Sequence, residues 1–496
     1  MAGLHTFFIN FTISPYTFFL FNNSLIFLIS FYYFLVLLIS LIFYSHFNKT
    51  QISWIKTVLK QFFFFNLLFS ICFFFYKFFS FFWISNYFVF LPNLSTSNFY
   101  QTPQLLNHNP LGDVLVLLCL ITVFISWVYL SERYLFLNVF NVFYFFIFVV
   151  FTVNMVYTSN LLLMFIFFEF IFLPSLYFVY WLSYSEKSDK TIKYLLFWTL
   201  SGSFFVACGL VYTYSITATL TLESLYFFQF SVFEEHLLFF CFFLGFGVKL
   251  PLWPFHYWLT KVHVEAPTGF SIFLSGYLVK TALFCLIYFS FLFKHSSFIH
   301  FILGLIFFGA IDASIRMWTS TDIKRLIAFA TIQEMNLIVG FFFLLDNTYF
   351  QFLNIFLLVH GVLSTLLFFL IDQIQKRFQT RNIVTMGGLA NVAPTLHTII
   401  WLSILIFRGF PIFIKFFIEW ELLSLLLQNF FIWGFVLFLL ISVYGVLGFC
   451  RIWFSVLYGQ PSFSLKNQND ILQKDFYIAV YLLSLLAVLS VLIFFF

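Results

Sequence analysis

Long apolar runs broken by short polar connections dominate this chain from end to end. A membrane-spanning helix needs about 20 predominantly apolar residues. That ruler marks off residues 25–44, 62–84, 114–130, 135–156, 161–182, 195–214 and 237–259. It continues through 268–293, 298–318, 326–345, 350–371, an interrupted run within 394–427, then 430–455 and 476–496. The pattern predicts an all-α polytopic membrane protein of about fourteen spans, because only helices and closed barrels satisfy the backbone inside a bilayer. Residues 5–21 are short, carry Pro15 and read as an interfacial segment.

The polar connections orient the spans. Residues 93–113 form a loop with two prolines, while 183–193 and 372–382 are charged turns. Lys187, Lys190 and Lys193 cluster in one turn and Lys376, Arg377 and Arg381 in the other. The bias of basic loops toward the cytoplasmic side puts both on one face, and the six crossings between them agree. Two spans, the seventh and the twelfth, are interrupted by proline beside a charge: Lys249-Leu250-Pro251 with Pro254, and Arg408-Gly409-Phe410-Pro411 followed by Lys415 and Glu419. Proline removes a backbone donor and clashes with the preceding turn, so Pro251 frees the Gly247 carbonyl. Broken helices at corresponding places mark inverted-repeat transporters. An odd offset of five spans reverses the second unit. The expected organisation is an N-terminal segment at 1–113, a first five-helix repeat (spans four to eight) within 114–293, a second (spans nine to thirteen) within 294–458, and a polar loop with a last helix at 459–496.

Composition supports the membrane reading. Hydrophobic residues make up 63% and charged residues 8%, against about 25% charged in soluble domains. A net charge of +5 over 496 residues gives nucleic acid no footprint. Eighty-nine phenylalanines against 19 glycines follow AT-rich codons and suggest an organelle genome. Residues 1–10 lack an Arg-rich amphipathic leader, as a chain made inside the organelle would. Cys72, Cys119, Cys208, Cys241, Cys285 and Cys450 form no C-x-x-C pair and read as small core residues rather than metal or haem ligands.

With so few charges, those inside spans stand out, since one at mid-bilayer costs roughly 2.5–3.5 kcal/mol on insertion scales. Glu169 lies mid-span before Pro174, Lys249 at the first break, Lys280 mid-span in the eighth, and Glu419 after the second break. Lys415 shares a helical face with Glu419, whereas Glu421 points about 200° away from it. Glu334 and His360 are intramembrane too. The structural alternatives are a protonated carboxyl bonded to backbone, a snorkelling lysine and a satisfied core histidine. Mid-span depth argues against the first two. A buried glutamate without a cation neutralises, and so does a buried lysine without an anion. A Glu–Lys pair is therefore a proton switch.

Residues Trp258-Leu259-Thr260-Lys261-Val262-His263-Val264-Glu265-Ala266-Pro267 resemble the W-L-P-K-A-H-V-E-A-P signature of the antiporter-like subunits of respiratory complex I (NADH:ubiquinone oxidoreductase), with Thr260 in place of proline. Val248-Lys249-Leu250-Pro251-Leu252 resembles V-K-x-P-L, and Leu278-Val279-Lys280 matches L-L-K. Phe168-Glu169 with Pro174, Thr321-Asp322-Ile323-Lys324, His360-Gly361 and Phe410-Pro411 through Glu419 extend the likeness from about Asn160 to Glu419. His263-Val264-Glu265-Ala266-Pro267, with a glutamate rather than lysine at 419, is similar to the chain 4 branch rather than to chains 2 or 5.

The resemblance implies a mitochondrial inner-membrane, multi-pass subunit that translocates protons while NADH is oxidised by ubiquinone. FMN, iron–sulfur clusters and ubiquinone would sit in partner subunits, with no cofactor or metal in this chain. The partners would be other membrane-arm subunits, including antiporter-like chains 2 and 5, and lipids. By the same resemblance Glu169 pairs with Lys249, Lys280 is the central relay, His360 the next stop and Glu419 the exit-side group. Glu334 stands where the family often has histidine, and its charge would repel Glu419. The alternatives are a cation/proton antiporter subunit with the same relay, and a structural scaffold of the complex.

Overall fold

The computed structural model describes residues 110–133, 139–182, 188–293, 298–345, 350–460 and 470–492. The first two expected spans, the interfacial segment, the loop 93–109, Cys72 and Lys187 lie outside the described residues.

The regular secondary structure among the described residues is helical, with two isolated bridges besides. In chain order the helices are α1 (Pro110–Arg133), α2 (Val139–Tyr157), α3 (Leu161–Leu182), α4 (Ser188–Thr217) and α5 (Val232–Lys249). They continue with α6 (Tyr257–Glu265), α7 (Thr268–Phe293), α8 (Ile299–Thr319), α9 (Ile323–Leu344) and α10 (Phe350–Phe378). The last three are α11 (Pro394–Phe407), α12 (Ile414–Leu457) and α13 (Gln473–Leu492). Among the described residues, eight helices are long and apolar enough to cross a membrane.

The expected runs match closely in the middle of the chain. Span five and α3 share both ends, as do span eight and α7. The charged turns are shorter than expected: α4 starts at Ser188 and α10 continues through Lys376 and Arg377 to Phe378. Hydropathy sees only the apolar depth of a helix, and polar first and last turns are helical without contributing to it.

Helix α12 is continuous by hydrogen bonding for 44 residues, which would extend about 66 Å if straight, twice the roughly 30 Å hydrocarbon core. It is not straight. A methyl group added at Gly434 would run into the Leu426 carbonyl, eight residues earlier and about 12 Å away in a straight helix. The chain therefore reverses between these residues. The expected twelfth and thirteenth spans are the two arms of this tight hairpin.

Helices α7, α9 and α10 are almost wholly buried, whereas α4, α12 and α13 show apolar side chains outward. On α4, Phe197, Leu200, Phe204, Val211 and Tyr214 are exposed at helical spacing. Such a stripe on a long helix belongs in lipid. Helices α4 and α5 cross at two glycines. A Cβ on Gly202 would sit 2.7 Å from the Gly245 carbonyl, and one on Gly245 would sit 2.9 Å from the Gly202 carbonyl. This close backbone approach, typical of membrane helix pairs, brings the Lys249 side chain against α4.

Three stitches tie the first half of the bundle to the second. Lys324, buried at the start of α9, donates to the Ala266 carbonyl at 2.9 Å, and Arg381 donates to the Val264 carbonyl. Asp322 caps α9, accepting from the Lys324 and Arg325 amides at 3.0 and 3.5 Å. Thr268 at the head of α7 donates to Asp372 of α10 at 2.7 Å.

Substituting Gly202→Val would force α4 and α5 apart and push on Lys249, at a cost of about 1–3 kcal/mol from overpacking. Gly304→Ala, where an added Cβ meets nothing within 4 Å, is the control. Thermal melting followed on native gels should show a lower midpoint for Gly202→Val alone.

Candidate functional site

The first break lies between α5 and α6. Helix α5 ends at Lys249, and the carbonyl that Pro251 frees on Gly247 accepts the Leu252 amide at 3.0 Å instead. The Trp258 indole on α6 donates to the Val248 carbonyl at 2.8 Å. The break is thus satisfied by its own loop, as backbone at membrane depth requires. It leaves Lys249 at a helix C-terminus, where the macrodipole favours a cation.

The Lys249 ammonium pairs with Glu169 Oε1 on α3. Its side chain is 0% exposed, and it lies 4.3 Å and 4.8 Å from the centres of the Phe168 and Phe172 rings. Those faces add cation–π attraction. The other Glu169 oxygen accepts from the Ser203 hydroxyl on α4 at 2.8 Å. Glu169 is 30% exposed on the outside of the chain, so the pair is closed on the lysine side and open on the carboxylate side.

Lys280 sits at the centre of the bundle, 0% exposed. A π-helical turn at Leu274–Leu278 immediately precedes it, and its Nζ donates to the Ser275 carbonyl. Wide turns of this kind occur frequently at functional sites because they release a carbonyl from the regular ladder. Among the described residues Lys280 hydrogen-bonds no carboxylate. Glu334 of α9 acts on it through its field alone.

The second break, between α11 and α12, gathers the remaining candidates. Gly409 has φ +61°, and an added Cβ would lie 2.6 Å from Glu419 Oε2. Only glycine meets both conditions. Lys415, 2% exposed, lies 2.7 Å from Glu334 Oε1 and 3.4 Å from Glu419 Oε1, and donates to the Phe407 carbonyl at the end of α11. This lysine too is at a helix C-terminus, though it belongs to the next helix. His360 Nδ1 on α10 is 4.0 Å from Glu334 Oε2, beyond a direct hydrogen bond. Glu334 Oε2 and His360 Nε2 are buried without a hydrogen-bond partner among the described residues.

The structure therefore brings Glu169 and Lys249 together, and Glu334, His360 and Glu419 together around Lys415, with Lys280 between the two groups. The expected repulsion between Glu334 and Glu419 is offset by the Lys415 ammonium lying between them. Sequence reasoning saw Lys415 as a partner for Glu419, four residues on. It missed the Glu334 contact, because 81 residues separate the two. It marked Arg408 at the break but not its contacts: the guanidinium lies 4.9 Å from the Phe407 and Phe449 rings and donates to the Gly445 carbonyl. The Ser203 hydroxyl and the π turn before Lys280 carried no sequence signal.

A multi-pass helical bundle with two interrupted helices, each supplying a buried lysine paired to a glutamate from another helix, defines the antiporter-like class of membrane subunit. Residues 158–445 match the model of the NADH:quinone oxidoreductase/Mrp antiporter transmembrane family, and the chain belongs to that family. The NADH-ubiquinone oxidoreductase chain 4 of Paramecium tetraurelia is 35% identical over 376 residues, covering 75% of this chain and 78% of that one. Chain 4 of Chondrus crispus is 32% identical over about half of each chain (51% and 52%). Two solved structures share the fold. A chain of the Thermus thermophilus respiratory complex I with bound NADH superposes with a TM-score of 0.69, 21% identity and coverage of 77% and 81%. A chain of the Mrp complex from a Dietzia species gives 0.74, 15% identity and coverage of 94% and 95%.

Breaking a buried pair from one side is costly because the other charge stays behind. Glu169→Gln strands the fully buried Lys249 ammonium. Lys249→Met strands Glu169, which keeps the Ser203 hydroxyl and an open side. Glu169→Gln should therefore lower the yield of assembled complex more than Lys249→Met does, as read from native gels. Equal yields would contradict this asymmetry.

Proposed function

We propose that this chain is a proton-translocating membrane-arm subunit of a respiratory NADH:ubiquinone oxidoreductase in the mitochondrial inner membrane. The observation that carries the reading is the set of titratable side chains at membrane depth, with Lys249, Lys280, Glu334 and His360 buried and Glu169 and Glu419 half-buried. A scaffold has no use for charges whose burial costs kcal/mol each. The finer organisation belongs to the same reading: about fourteen spans with two inverted five-helix units at spans four to eight and nine to thirteen. The two breaks support it, each presenting a lysine to the C-terminus of a half-helix.

In this reading the closed Glu169–Lys249 pair is the resting state of the first half. Opening it leaves a buried amine without its anion, which sheds a proton, and a carboxylate without its cation, which takes one up. The proton lost by Lys249 passes to Lys280 through water, since no described side chain joins the two by hydrogen bonds. Lys280 hands it on toward His360 and Glu334, and Glu419 releases it beyond the second break. A membrane potential of about 100 mV changes the energy of one charge moved across the bilayer by roughly 2.3 kcal/mol. Opening or closing one buried ion pair is of that order.

Oxidation of NADH would take place on partner subunits that hold FMN, iron–sulfur clusters and ubiquinone. Antiporter-like chains 2 and 5 would be neighbours in the membrane, and the apolar outer faces of α4, α12 and α13 would meet them or lipid. Lys280→Met removes the buried amine at the centre of the bundle while filling much the same space. It should leave the complex assembled and cut the number of protons moved per electron, measured in sealed vesicles during NADH oxidation. An unchanged ratio in the assembled variant would leave the chain as a scaffold.

A further inference from the structure

Two carboxylates and one ammonium meet at the second break, and nothing in the family resemblance assigns the ammonium a role. Lys415 Nζ is 2.7 Å from Glu334 and 3.4 Å from Glu419, with its third donor on the Phe407 carbonyl. The Lys415–Glu334 side is sealed, at 2% and 4% exposed, while Glu419 is 21% exposed. The Phe407 ring lies 4.2 Å from the ammonium. We propose that Lys415 is itself a proton-carrying residue of the second half, passing a proton from Glu334 to Glu419 while its ion pair shifts from one carboxylate to the other. The inference rests on the proton-translocation reading above and adds a step to it.

The groups facing this cluster from neighbouring helices are His360 on α10, Lys280 on α7 and Arg408 at the end of α11. Arg408 stays protonated in proteins and supplies fixed positive charge to both carboxylates. Lys415 can lose its proton, and that is the chemical difference between the two cations. A proton reaching Glu334 forms an O–H bond at Oε2, which has no hydrogen-bond partner among the described residues, as the N–H bond of the donor on the His360 side breaks. With Glu334 neutral, Lys415 is held by Glu419 alone. An N–H bond of the ammonium breaks toward Glu419 and an O–H bond forms there. The neutral amine then takes the Glu334 proton, restoring the ammonium and the Glu334 carboxylate. One proton has moved from Glu334 to Glu419, and Lys415 ends as it began.

A purely structural Lys415 would do no more than hold two carboxylates together. Two variants in the assembled complex separate these roles, with Lys280→Met as a reference. Lys415→Arg keeps the charge and both pairings but cannot give up its proton. Glu334→Gln with Lys415→Gln removes the pair at constant net charge. The expected result is a complex that assembles on native gels with NADH-driven proton uptake lowered by about tenfold or more in both variants, the scale of losing a proton-transfer group. Proton uptake at the unmodified rate in either variant, with Lys280→Met impaired, overturns the role of Lys415 and leaves the relay intact. Unmodified uptake in Lys280→Met overturns the relay reading itself. Failure of both Lys415 variants to assemble assigns the pair to folding and overturns the proposal as well.

Discussion

The structure depends on one constraint: a charge kept at membrane depth must be neutralised where it stands. Burying an ion pair without good geometry costs more than its attraction returns, so an isolated ammonium or carboxylate in this bundle would simply change protonation. The chain meets the constraint twice in the same way. A proline breaks a helix, the break gives a half-helix a C-terminus inside the membrane, and a lysine is drawn to that negative end. Its counter-ion comes from a different helix, Glu169 of α3 in one case and Glu334 of α9 in the other. Because each pair joins separate helices, its state is coupled to their spacing. A small movement of α3 against α5, or of α9 against α12, changes whether two charges or two neutral groups are stable.

The two pairs are nevertheless unequal. Lys249 has one carboxylate, supported by the Ser203 hydroxyl and partly open to the surroundings. Lys415 has two, both reached from a sealed position. A pair with one partner can be open or closed. An ammonium between two carboxylates can lean toward either without ever being left unpaired, which lowers the desolvation cost of the intermediate state. This also accounts for glutamate at 334, where histidine is common in the resembled family. A second carboxylate beside Glu419 is tolerable only with a cation between them, and Lys415 is that cation. Lys280 belongs to neither pair. Its ammonium is held by the Ser275 carbonyl within the π turn, a weaker partner than a carboxylate.

Much of this was legible in the sequence because membrane depth writes itself as long apolar runs. The ends of α3 and α7 coincide with those runs to the residue, and both breaks are announced by proline beside a charge. Glu169, Lys249, Lys280 and Glu419 stood out because charges are scarce here. Contacts between distant segments were not legible. Lys415 shows its neighbour four residues on, by helical periodicity, but not Glu334, which reaches it from another helix. Nor does any local pattern distinguish a π turn from an ordinary one in an apolar helix. The bend at Gly434 falls where one expected run gives way to the next, because about 20 apolar residues suffice for one crossing and this helix has 44 residues. The backbone pattern hides that reversal, since the hydrogen bonding hardly lapses.

The motif that identifies the family most readily does a different job from the titratable groups. Within His263-Val264-Glu265-Ala266-Pro267, the Val264 and Ala266 carbonyls are gripped by Arg381 and Lys324. His263 is buried with its ring stacked on Phe368, 4.7 Å between centres, and its ring nitrogens make no hydrogen bond among the described residues. These are positional contacts. They fix the end of the first broken helix to the start of α9, the helix that carries Glu334, and to the segment after α10, the helix that carries His360. The groups at the first break and those facing the second are thereby held in one framework of packed helices. This motif thus positions helices, whereas Lys415 and its two carboxylates meet on helices to which the motif does not belong.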